Sequence, residues 1–479
     1  TGRPRSWLNS TTTGGVQWVS ERFDRNGAFG ENLPPGALTV GQASIQTADE
    51  ATTVSRTQGA FVEQRVDLWD KLYLNGRLRA DNNSAFGRNF TTEYYPAAGL
   101  SYVLSEEKWM PFKDQIQQFR LRTSWGQSGQ RPGTTAALPF FASSNTVIAG
   151  ANVPGLIFQT LGNVNLRPAT VTEFEYGVDA TLFNGRMTLE VTRYDKRTSD
   201  DLISRVLPGS FGTGATARFE NVGAIRNWGT ELLLNTQPIQ RRNFGWDFLI
   251  NGSWNDNRLQ SLGGVPPIIG ATIRQIEGFP INGWWARPYT FNDADGNGII
   301  VPSEVRVAPA DSFQFRGYSQ PRTELVFQNG FDFLNKRLRF VAMVDYKGGH
   351  RLLNTTERFR CTDFPVGADR NDPTVSLDRQ ARCVAALAGA TQTFWGYMED
   401  ASFVRLRELS VSTRVPERFL SRLGGIRSAN VVFAARNLAL WTDWTGIDPE
   451  SSFGQGNVPN ELLTAPPLRT FALRVNLGF

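Results

Sequence analysis

The segment from Asp293 to Glu304 has the spacing of a calcium-binding loop. Calcium prefers oxygen ligands, and an EF-hand loop supplies them at alternating positions, with a carboxylate at the end of the loop. Gly298 stands where such a loop makes a sharp turn. The candidate ligands are side-chain oxygens and one carbonyl oxygen, from Asp293, Asp295, Asn297, Ile299 and Glu304. We therefore expect a structural Ca²⁺ ion that braces this loop.

The surroundings of this segment leave an alternative open. No helical pattern flanks the loop, and Pro302 lies inside it, which is unusual for an EF-hand. Asp, Asn and Gly also favour tight turns on their own. The alternative is therefore a turn that holds no ion.

The other reactive side chains do not form a recognisable site. The single histidine, His350, lies in a turn and is expected to be a solvated surface group. No nucleophile, base and orienting group match a catalytic motif, so we predict neither an enzyme nor an organic cofactor. Trp284, Trp285 and Tyr289 precede the candidate calcium loop. They offer rings for stacking on a sugar, with loop packing or an aromatic girdle as the alternatives.

The elements that must position these loops are predicted to be β-strands. Apolar and polar residues alternate through Ile116–Gly126 and again through Glu173–Leu182. These runs last about 10 residues, as a tilted membrane-crossing strand requires, whereas strands of soluble sandwiches average about 5 to 6. No run of about 20 apolar residues is present, so no transmembrane helix is predicted. The pattern predicts an all-β, transmembrane, antiparallel β-barrel.

The connections alternate between short and long. Asn184-Gly185 predicts a tight hairpin, because type I′ turns need positive φ at both central positions. Long polar segments cover 127–171, 256–321 and 348–399. Short periplasmic turns combined with long extracellular loops are typical of an outer-membrane barrel.

About 13 or 14 strands can be recognised along the chain. The apolar phase slips between Leu406 and Leu409, which predicts a β-bulge there. The last strand ends on an aromatic residue, Phe479, and resembles the signal by which outer-membrane barrels are recognised for insertion. The further predicted strands are Gly15–Phe23, Gly59–Leu68, Lys71–Ala80, Tyr94–Leu104, Met187–Arg197, Gly229–Asn235, Phe244–Asn255, Thr323–Phe333, Leu338–Lys347, Ser402–Val415, Asn430–Leu440 and Leu468–Phe479.

Charge and cysteine content narrow the function and the compartment. The net charge of +5 is small for 479 residues, and no Lys/Arg block stands out, so nucleic-acid binding is not expected. Cys361 and Cys383 lie in a polar segment. Outside the inner membrane a disulfide between them is expected, with two free thiols as the alternative.

Several segments, in the same order along the chain, resemble the barrel of SusC/RagA-like TonB-dependent receptors. The resemblance extends from about Asp70 to Phe479. Asn82 and Asn83 replace a common Gly-Ser pair, and Gln130 stands where Asn is common. The matching segments are Arg77–Gly87, Tyr95–Tyr102, Leu121–Gln130, Asn221–Glu231, Phe403–Leu409 and Ala435–Leu438.

This resemblance implies a bacterial outer-membrane barrel of about 22 strands around an N-terminal plug. Residues 1–479 are expected to form the C-terminal portion of that barrel, with the plug and the N-terminal strands outside this sequence. A second chain or a further segment would complete the barrel, because open sheet edges do not persist in lipid.

The resemblance also implies active import of a large nutrient, either a glycan or a peptide. The implied partners are TonB, acting through the plug, a SusD-like surface lipoprotein, and outer-membrane lipid or lipopolysaccharide. The alternatives are a structural scaffold and a passive pore of 14 strands. The pore requires Gly15–Phe23 to pair with Leu468–Phe479.

Overall fold

A large antiparallel sheet of fifteen strands forms the body of the protein. The computed structural model describes residues 2–87, 92–207, 217–363, 369–387, 389, 392–420, 425–451 and 460–479. The strands of the sheet are β1 Gly2–Arg5, β2 Leu8–Glu31, β3 Ile45–Leu68, β4 Leu72–Asn83, β5 Glu93–Val103, β6 Ile116–Gln130, β9 Ala169–Leu182, β10 Met187–Val206, β11 Ala217–Gln240, β12 Phe244–Ser261, β19 Thr323–Phe333, β20 Leu338–Gly348, β23 Phe403–Arg414, β24 Ser428–Thr442 and β26 Thr470–Gly478.

The remaining strands and the helices lie in the long connections. The strands are β7 Phe140–Ile148, β8 Ala151–Thr160, β13 Ile268–Ile269, β14 Arg274–Gln275, β15 Trp284–Ala286, β16 Tyr289–Phe291, β17 Val305–Val307, β18 Gln314–Gly317, β21 Arg351–Asn354, β22 Met398–Asp400 and β25 Asn460–Glu461. The helices are α1 Thr355–Thr362, α2 Leu377–Ala385 and, in a short turn, α3 Glu417–Leu420. None of the described helices combines the length and the apolar character needed to cross a bilayer.

The sheet confirms the predicted fold class. Its strands follow one another in chain order and pair antiparallel, apart from the inserted loop strands. Each predicted strand appears, and Thr323–Phe333 has its predicted bounds. Several strands are longer than predicted: β2 and β3 each contain 24 residues. The three long connections also lie where the polar segments predicted them.

The sheet is open at both ends within the described residues. β26 pairs with β24, and β2 pairs with β3 and with the four-residue β1. The pairing of Gly15–Phe23 with Leu468–Phe479, which a closed 14-stranded pore requires, is absent from the described sheet.

The short turn after β9 lies where it is predicted. Leu182 pairs with Met187, so the turn consists of residues 183–186, between the predicted end of one strand and the predicted start of the next. Phe183, Asn184 and Gly185 all have positive φ angles, of 57°, 60° and 78°. Asn184 and Gly185 therefore have the positive φ angles that the prediction requires, and the left-handed conformation begins one residue earlier, at Phe183.

The predicted bulge in β23 is confirmed at Arg407. Met343 of β20 pairs with Glu408, and Val344 pairs with Leu406, which leaves Arg407 as the additional residue. Side chains alternate between the two faces of a strand, so one additional residue returns the apolar positions to the face that holds Leu406.

The two faces of the sheet differ in chemistry. One face is apolar: Leu121 lies opposite Val178, and the exposed rings of Trp125 and Phe174 lie opposite each other on the same face. On the other face, the Asp179 carboxylate lies 2.5 Å from the Arg120 guanidinium and 3.2 Å from that of Arg122. Similar ion pairs repeat across the charged face: Arg339 with Asp247 and Asp332, and Arg407 with Asp345 and Glu450.

The long loops fold into a compact structure of their own. The second and third loops contribute to one hydrophobic core, formed by Trp284, Ala286, Leu353, Cys361, Cys383, Ala386, Tyr397 and Met398. The sequence pattern indicated strands and turns but gave no sign of α1 and α2. These helices span eight and nine residues, which is too short for a helical period to emerge from a polar segment.

His350 corrects the expectation of a solvated histidine. Its side chain is only 5% exposed, because the third loop folds back over the end of β20. Its carbonyl accepts a hydrogen bond from the Ala401 amide at 3.1 Å. Burial lowers the pKa of His350 to about 4; the nearby Asp400 carboxylate raises it by a smaller amount, and the Lys347 ammonium lowers it further.

This lowered pKa predicts that acid loosens the third loop. Below pH 6.5, an unfolded loop binds a proton that the folded loop excludes until about pH 4, so the stability of the loop falls as pH falls through this window. Amide hydrogen exchange at Ala401, corrected for its intrinsic pH dependence, should lose protection between pH 7 and pH 4.5. His350→Gln should remove most of this dependence. Equal pH profiles for the two proteins would contradict the prediction.

A second prediction concerns the ion pair between Arg405 and Asp448, whose side chains are 3% and 5% exposed. Asp448→Asn removes one of the two carboxylates that neutralise the buried Arg405 guanidinium. The other, Glu450, remains at 3.1 Å. We expect destabilisation of about 3 kcal/mol. Urea unfolding in lipid vesicles, followed by tryptophan fluorescence, measures it.

The control is Asp49→Asn, which breaks the exposed pair with Arg25. Side chains that are 64% and 49% exposed should contribute less than about 1 kcal/mol. Similar losses in the two variants would show that burial of the Arg405 pair has no energetic consequence.

Candidate functional site

The candidate calcium loop closes a small β-hairpin. β16 and β17 pair antiparallel, from Tyr289 with Val307 to Phe291 with Val305. The loop therefore has strands at both ends, where an EF-hand has helices. Pro302 begins a 3-10 turn that ends at Glu304, and this turn brings the last predicted ligand back towards the first.

Three predicted ligands come together in this loop. Oxygens of Asp293, Asp295 and Glu304 lie within 4.8 Å of one another. The Glu304 carboxylate accepts hydrogen bonds from the amides of Ala294 (2.8 Å) and Val301 (3.0 Å). These backbone contacts fix the carboxylate in place but leave lone pairs that can bind a cation.

The loop backbone turns around Asp293. Its carboxylate accepts hydrogen bonds from the amides of Asn297 (3.2 Å) and Gly298 (3.0 Å). Gly296 and Gly298 have φ angles of 69° and 77°, a region that glycine enters without strain. The glycine at the predicted turn position therefore has the backbone conformation that the motif requires.

The other two predicted ligands, Asn297 and Ile299, are not described with an oxygen directed at the carboxylate cluster. The side-chain Nδ2 of Asn297 donates to Asp295 Oδ2 at 2.8 Å. The side-chain Oδ1 of Asn297 accepts from the backbone amide of Ile299 at 2.7 Å. A role as an oxygen ligand requires rotation of this side-chain amide. Ile299 follows directly on the loop backbone, and only its amide has a described contact with the cluster.

Gln380 on α2 supports the loop from outside, and it is not among the residues predicted from the sequence. Its side chain is fully buried. Its Oε1 accepts from the Ile300 amide at 2.8 Å, and its Nε2 donates to the Gly298 carbonyl at 2.9 Å. Eighty residues separate Gln380 from Ile300, so no local motif could reveal the contact.

The two cysteines lie close together on the helices α1 and α2. Cys361 on α1 and Cys383 on α2 are both buried, and their Cα atoms are 5.7 Å apart. A disulfide spans this separation. A bond here would link the two helices, and α2 also carries Gln380, so the expected disulfide and the candidate calcium loop belong to one folded unit.

The aromatic residues before the loop are covered by protein. Trp284 and Trp285 are 1% and 5% exposed. The indole of Trp284 donates to the Arg351 carbonyl at 2.7 Å, and the ring of Trp285 packs against Phe279 and Phe315. Stacking on a sugar needs an open ring face, so this arrangement favours the loop-packing alternative.

Tyr289 has a similar position. It packs against the core of Ile300, Ala381 and Val384, and burial raises the pKa of its phenol to about 12. Its ring is therefore also part of the loop interior.

The residues present fit a calcium ion. Three carboxylates approach one another, and no described cation offsets their mutual repulsion. Carboxylate and carbonyl oxygens are the ligands that Ca²⁺ prefers. When bound, the ion would neutralise this charge and hold the start and the end of the loop together.

Comparison with known proteins agrees with the fold. A family model described as "TonB dependent receptor-like, beta-barrel" matches residues 3–356. The TonB-dependent receptor P26 of Formosa agariphila is 27% identical over 86% of this chain and 45% of its own length. The TonB-dependent receptor SusC of Bacteroides thetaiotaomicron is 28% identical over 51% of this chain and 25% of its own length.

Among solved structures, the RagAB peptide transporter aligns with a TM-score of 0.83. The alignment covers 99% of this chain and 54% of that chain at 20% identity, which shows a common fold. The chain spans about half the length of the curated relatives that match it over most of its own length.

These findings confirm the predicted resemblance to SusC/RagA-like receptors, the outer-membrane location and a non-enzymatic role. The charged face of the sheet is accordingly the lumen face, and its apolar face is the lipid face. With more than half of its residues matched by the family model, the chain belongs to the TonB-dependent receptor-like β-barrel family.

Proposed function

We propose that this chain forms the barrel wall and the extracellular loops of an active importer for a large polar nutrient. The observation that supports this most directly is the width of the sheet. It remains open after fourteen long strands and the short β1, and it presents a charged face to the lumen. A barrel of eight strands is filled by its own side chains, whereas one of 16 to 22 strands encloses a channel or a plugged lumen.

The open edges support completion by further strands. Each unpaired backbone group in hydrocarbon costs several kcal/mol, so β2 and β26 need partners that a second chain or a further segment supplies. A plug in the completed barrel would respond to TonB and make transport depend on energy.

The extracellular loops provide the surface for a SusD-like lipoprotein. In the first long loop, β7 and β8 form a separate hairpin. Val147, Ile148 and Leu156 on this hairpin are 66%, 62% and 72% exposed. Apolar side chains exposed together favour a protein contact over a purely solvated loop.

The nutrient is a glycan or a peptide. The resemblance to SusC/RagA-like receptors implies such cargo, and the RagAB structure, whose fold this chain shares, is that of a peptide transporter.

The first test of the proposed function is dependence on TonB. Uptake of fluorescent oligosaccharide and peptide pools is measured in cells that carry the receptor, with and without TonB. We expect uptake of at least one pool to fall to the level of cells without the receptor when TonB is deleted.

Two other outcomes would contradict active import. Uptake that persists without TonB, together with steady conductance of the purified receptor in planar bilayers, indicates a passive pore. An absence of uptake and of conductance indicates a scaffold.

We also propose that Asp293, Asp295 and Glu304 bind a structural Ca²⁺ ion, with oxygens of Asn297 and Ile299 as further ligands. Calorimetric titration of the receptor with CaCl₂ should give a dissociation constant of about 10⁻⁴ to 10⁻³ M, as in extracellular calcium modules. Asp293→Asn combined with Asp295→Asn should abolish binding. Hydrogen exchange in residues 293–304 should increase on addition of EGTA.

The matched control is Asp311→Asn, which removes an exposed carboxylate from the same connection but outside the cluster. It should leave calcium binding unchanged. Equal calcium binding by the double variant and the unsubstituted receptor would support the turn without an ion.

A further inference from the structure

A cavity of about 310 Å³ lies between the wall strands β10 to β12 and the second loop. A few polar groups line it, but most of its lining is apolar. Ligand sites in proteins typically have about 300 to 1,000 Å³ and this kind of lining. The aliphatic side chains come from both the wall and the loop: Ile203, Ile225, Leu259, Leu262, Ile268 and Ile281.

The register of the strands places this cavity on the lumen face. Asp179, a lumen-face residue, pairs with Glu190, and side chains alternate along β10, so Thr198 also faces the lumen. Thr198 pairs with Ile225, and Ile225 pairs with Leu259. Ile225 and Leu259 therefore face the lumen, at the end of the sheet that carries the long loops.

The apolar character of the cavity contrasts with the ion pairs that the lumen face carries elsewhere. Leu259 and Leu262 are 3% and 2% exposed, whereas Phe219 and Ile268 are 43% and 40% exposed. The second loop thus packs against the wall without filling the space between them. A packing defect is a poor explanation, because protein interiors contain few voids larger than a water molecule.

Hydrogen bonds hold the two sides of the cavity together. The Leu259 amide of β12 donates to the Phe279 carbonyl of the second loop at 2.8 Å. The Ile281 amide of the loop donates to the side-chain oxygen of Asn257 on β12, also at 2.8 Å. The cavity is therefore formed before a ligand arrives, which lowers the entropic cost of binding.

The polar lining offers one hydrogen-bond acceptor and one donor. Among the described contacts, the Asp201 carboxylate accepts only from the Leu202 amide, at 3.0 Å. Asn282 Oδ1 accepts from Gln275 Nε2 at 2.8 Å, which leaves the Nδ2 of Asn282 as a donor. A peptide group presents the complementary pair, an N–H donor and a carbonyl acceptor.

We infer that this cavity binds an apolar side chain of an imported peptide, with Asp201 and Asn282 as hydrogen-bonding partners of the adjacent peptide group. A glycan fits less well, because sugar hydroxyls buried against aliphatic side chains would lose their hydrogen bonds. Phe219 is also the only ring in the described lining on which a sugar could stack. The inference rests on the proposed function in treating the lumen as the route of the nutrient, and it selects peptide from the two proposed classes.

Peptide binding to the complete receptor tests the inference. The receptor is purified from outer membranes with every segment that completes the barrel and is placed in lipid nanodiscs. Calorimetric titration compares a pentapeptide that has one central leucine among glycines with pentaglycine. We expect the leucine peptide to bind at least about tenfold more tightly, and maltotriose should not displace it. An ester in place of the leucine N–H should weaken binding, because Asp201 then has no donor.

The strand β13 provides a matched pair of variants. It consists of Ile268 and Ile269, which are 40% and 56% exposed, and of the two Ile268 lines the cavity. Ile268→Asp should lower the affinity for the leucine peptide to that for pentaglycine, whereas Ile269→Asp should leave it unchanged. Ile268→Ala should give a smaller loss, and it replaces the aspartate variant if that protein does not fold.

Four outcomes would overturn the inference: equal affinity for the two peptides, no binding of either, displacement by maltotriose, or equal losses in Ile268→Asp and Ile269→Asp. Binding in nanodiscs needs neither TonB nor an energy source. TonB-dependent uptake of an oligosaccharide without this binding would therefore leave the proposed function standing. Leucine-dependent binding without TonB-dependent uptake would contradict active import alone.

Discussion

The need to satisfy every backbone hydrogen bond in the hydrocarbon layer is the constraint on which this structure depends. Strands meet it by pairing with their neighbours, and fourteen long strands in unbroken order do so across the sheet. Once the backbone is paired, alternation assigns each side chain to the lipid or to the lumen. The bulge at Arg407 shows how strictly this holds, because a single additional residue restores the apolar phase of β23.

The lumen face has a different requirement, since its charges must remain compatible with a folded wall. Arg120 and Arg122 share the Asp179 carboxylate, and Arg405 is buried against Asp448. Each guanidinium is offset by a carboxylate, on a neighbouring strand in the case of Asp179 and in the loop after β24 in the case of Asp448. This pairing keeps the face polar without a large net charge.

The sequence predicted the wall well because the wall obeys a local rule. A period of two extends over each strand, so Thr323–Phe333 could be delimited from its own residues. The loops obey no such rule. The contact of Gln380 with Ile300 joins residues eighty apart, and the burial of His350 depends on how the third loop folds back over β20. Spacing could bring Asp293, Asp295 and Glu304 together, but it could not identify the helix that supports them.

The burial of Trp284 links these observations to the role of the loops. Trp284 of the second loop lies in one hydrophobic cluster with Cys361, Cys383 and Tyr397 of the third, so the two loops share one core. Gln380 on α2 joins this core to the candidate calcium loop through two hydrogen bonds to the loop backbone. Loops fixed in this way keep a defined surface before a partner binds, whereas loops that moved independently would lose conformational entropy on ordering against a partner. The shared core therefore ties the second and third loops to each other, which would lower the entropic cost of the partner contact that we propose for the extracellular loops.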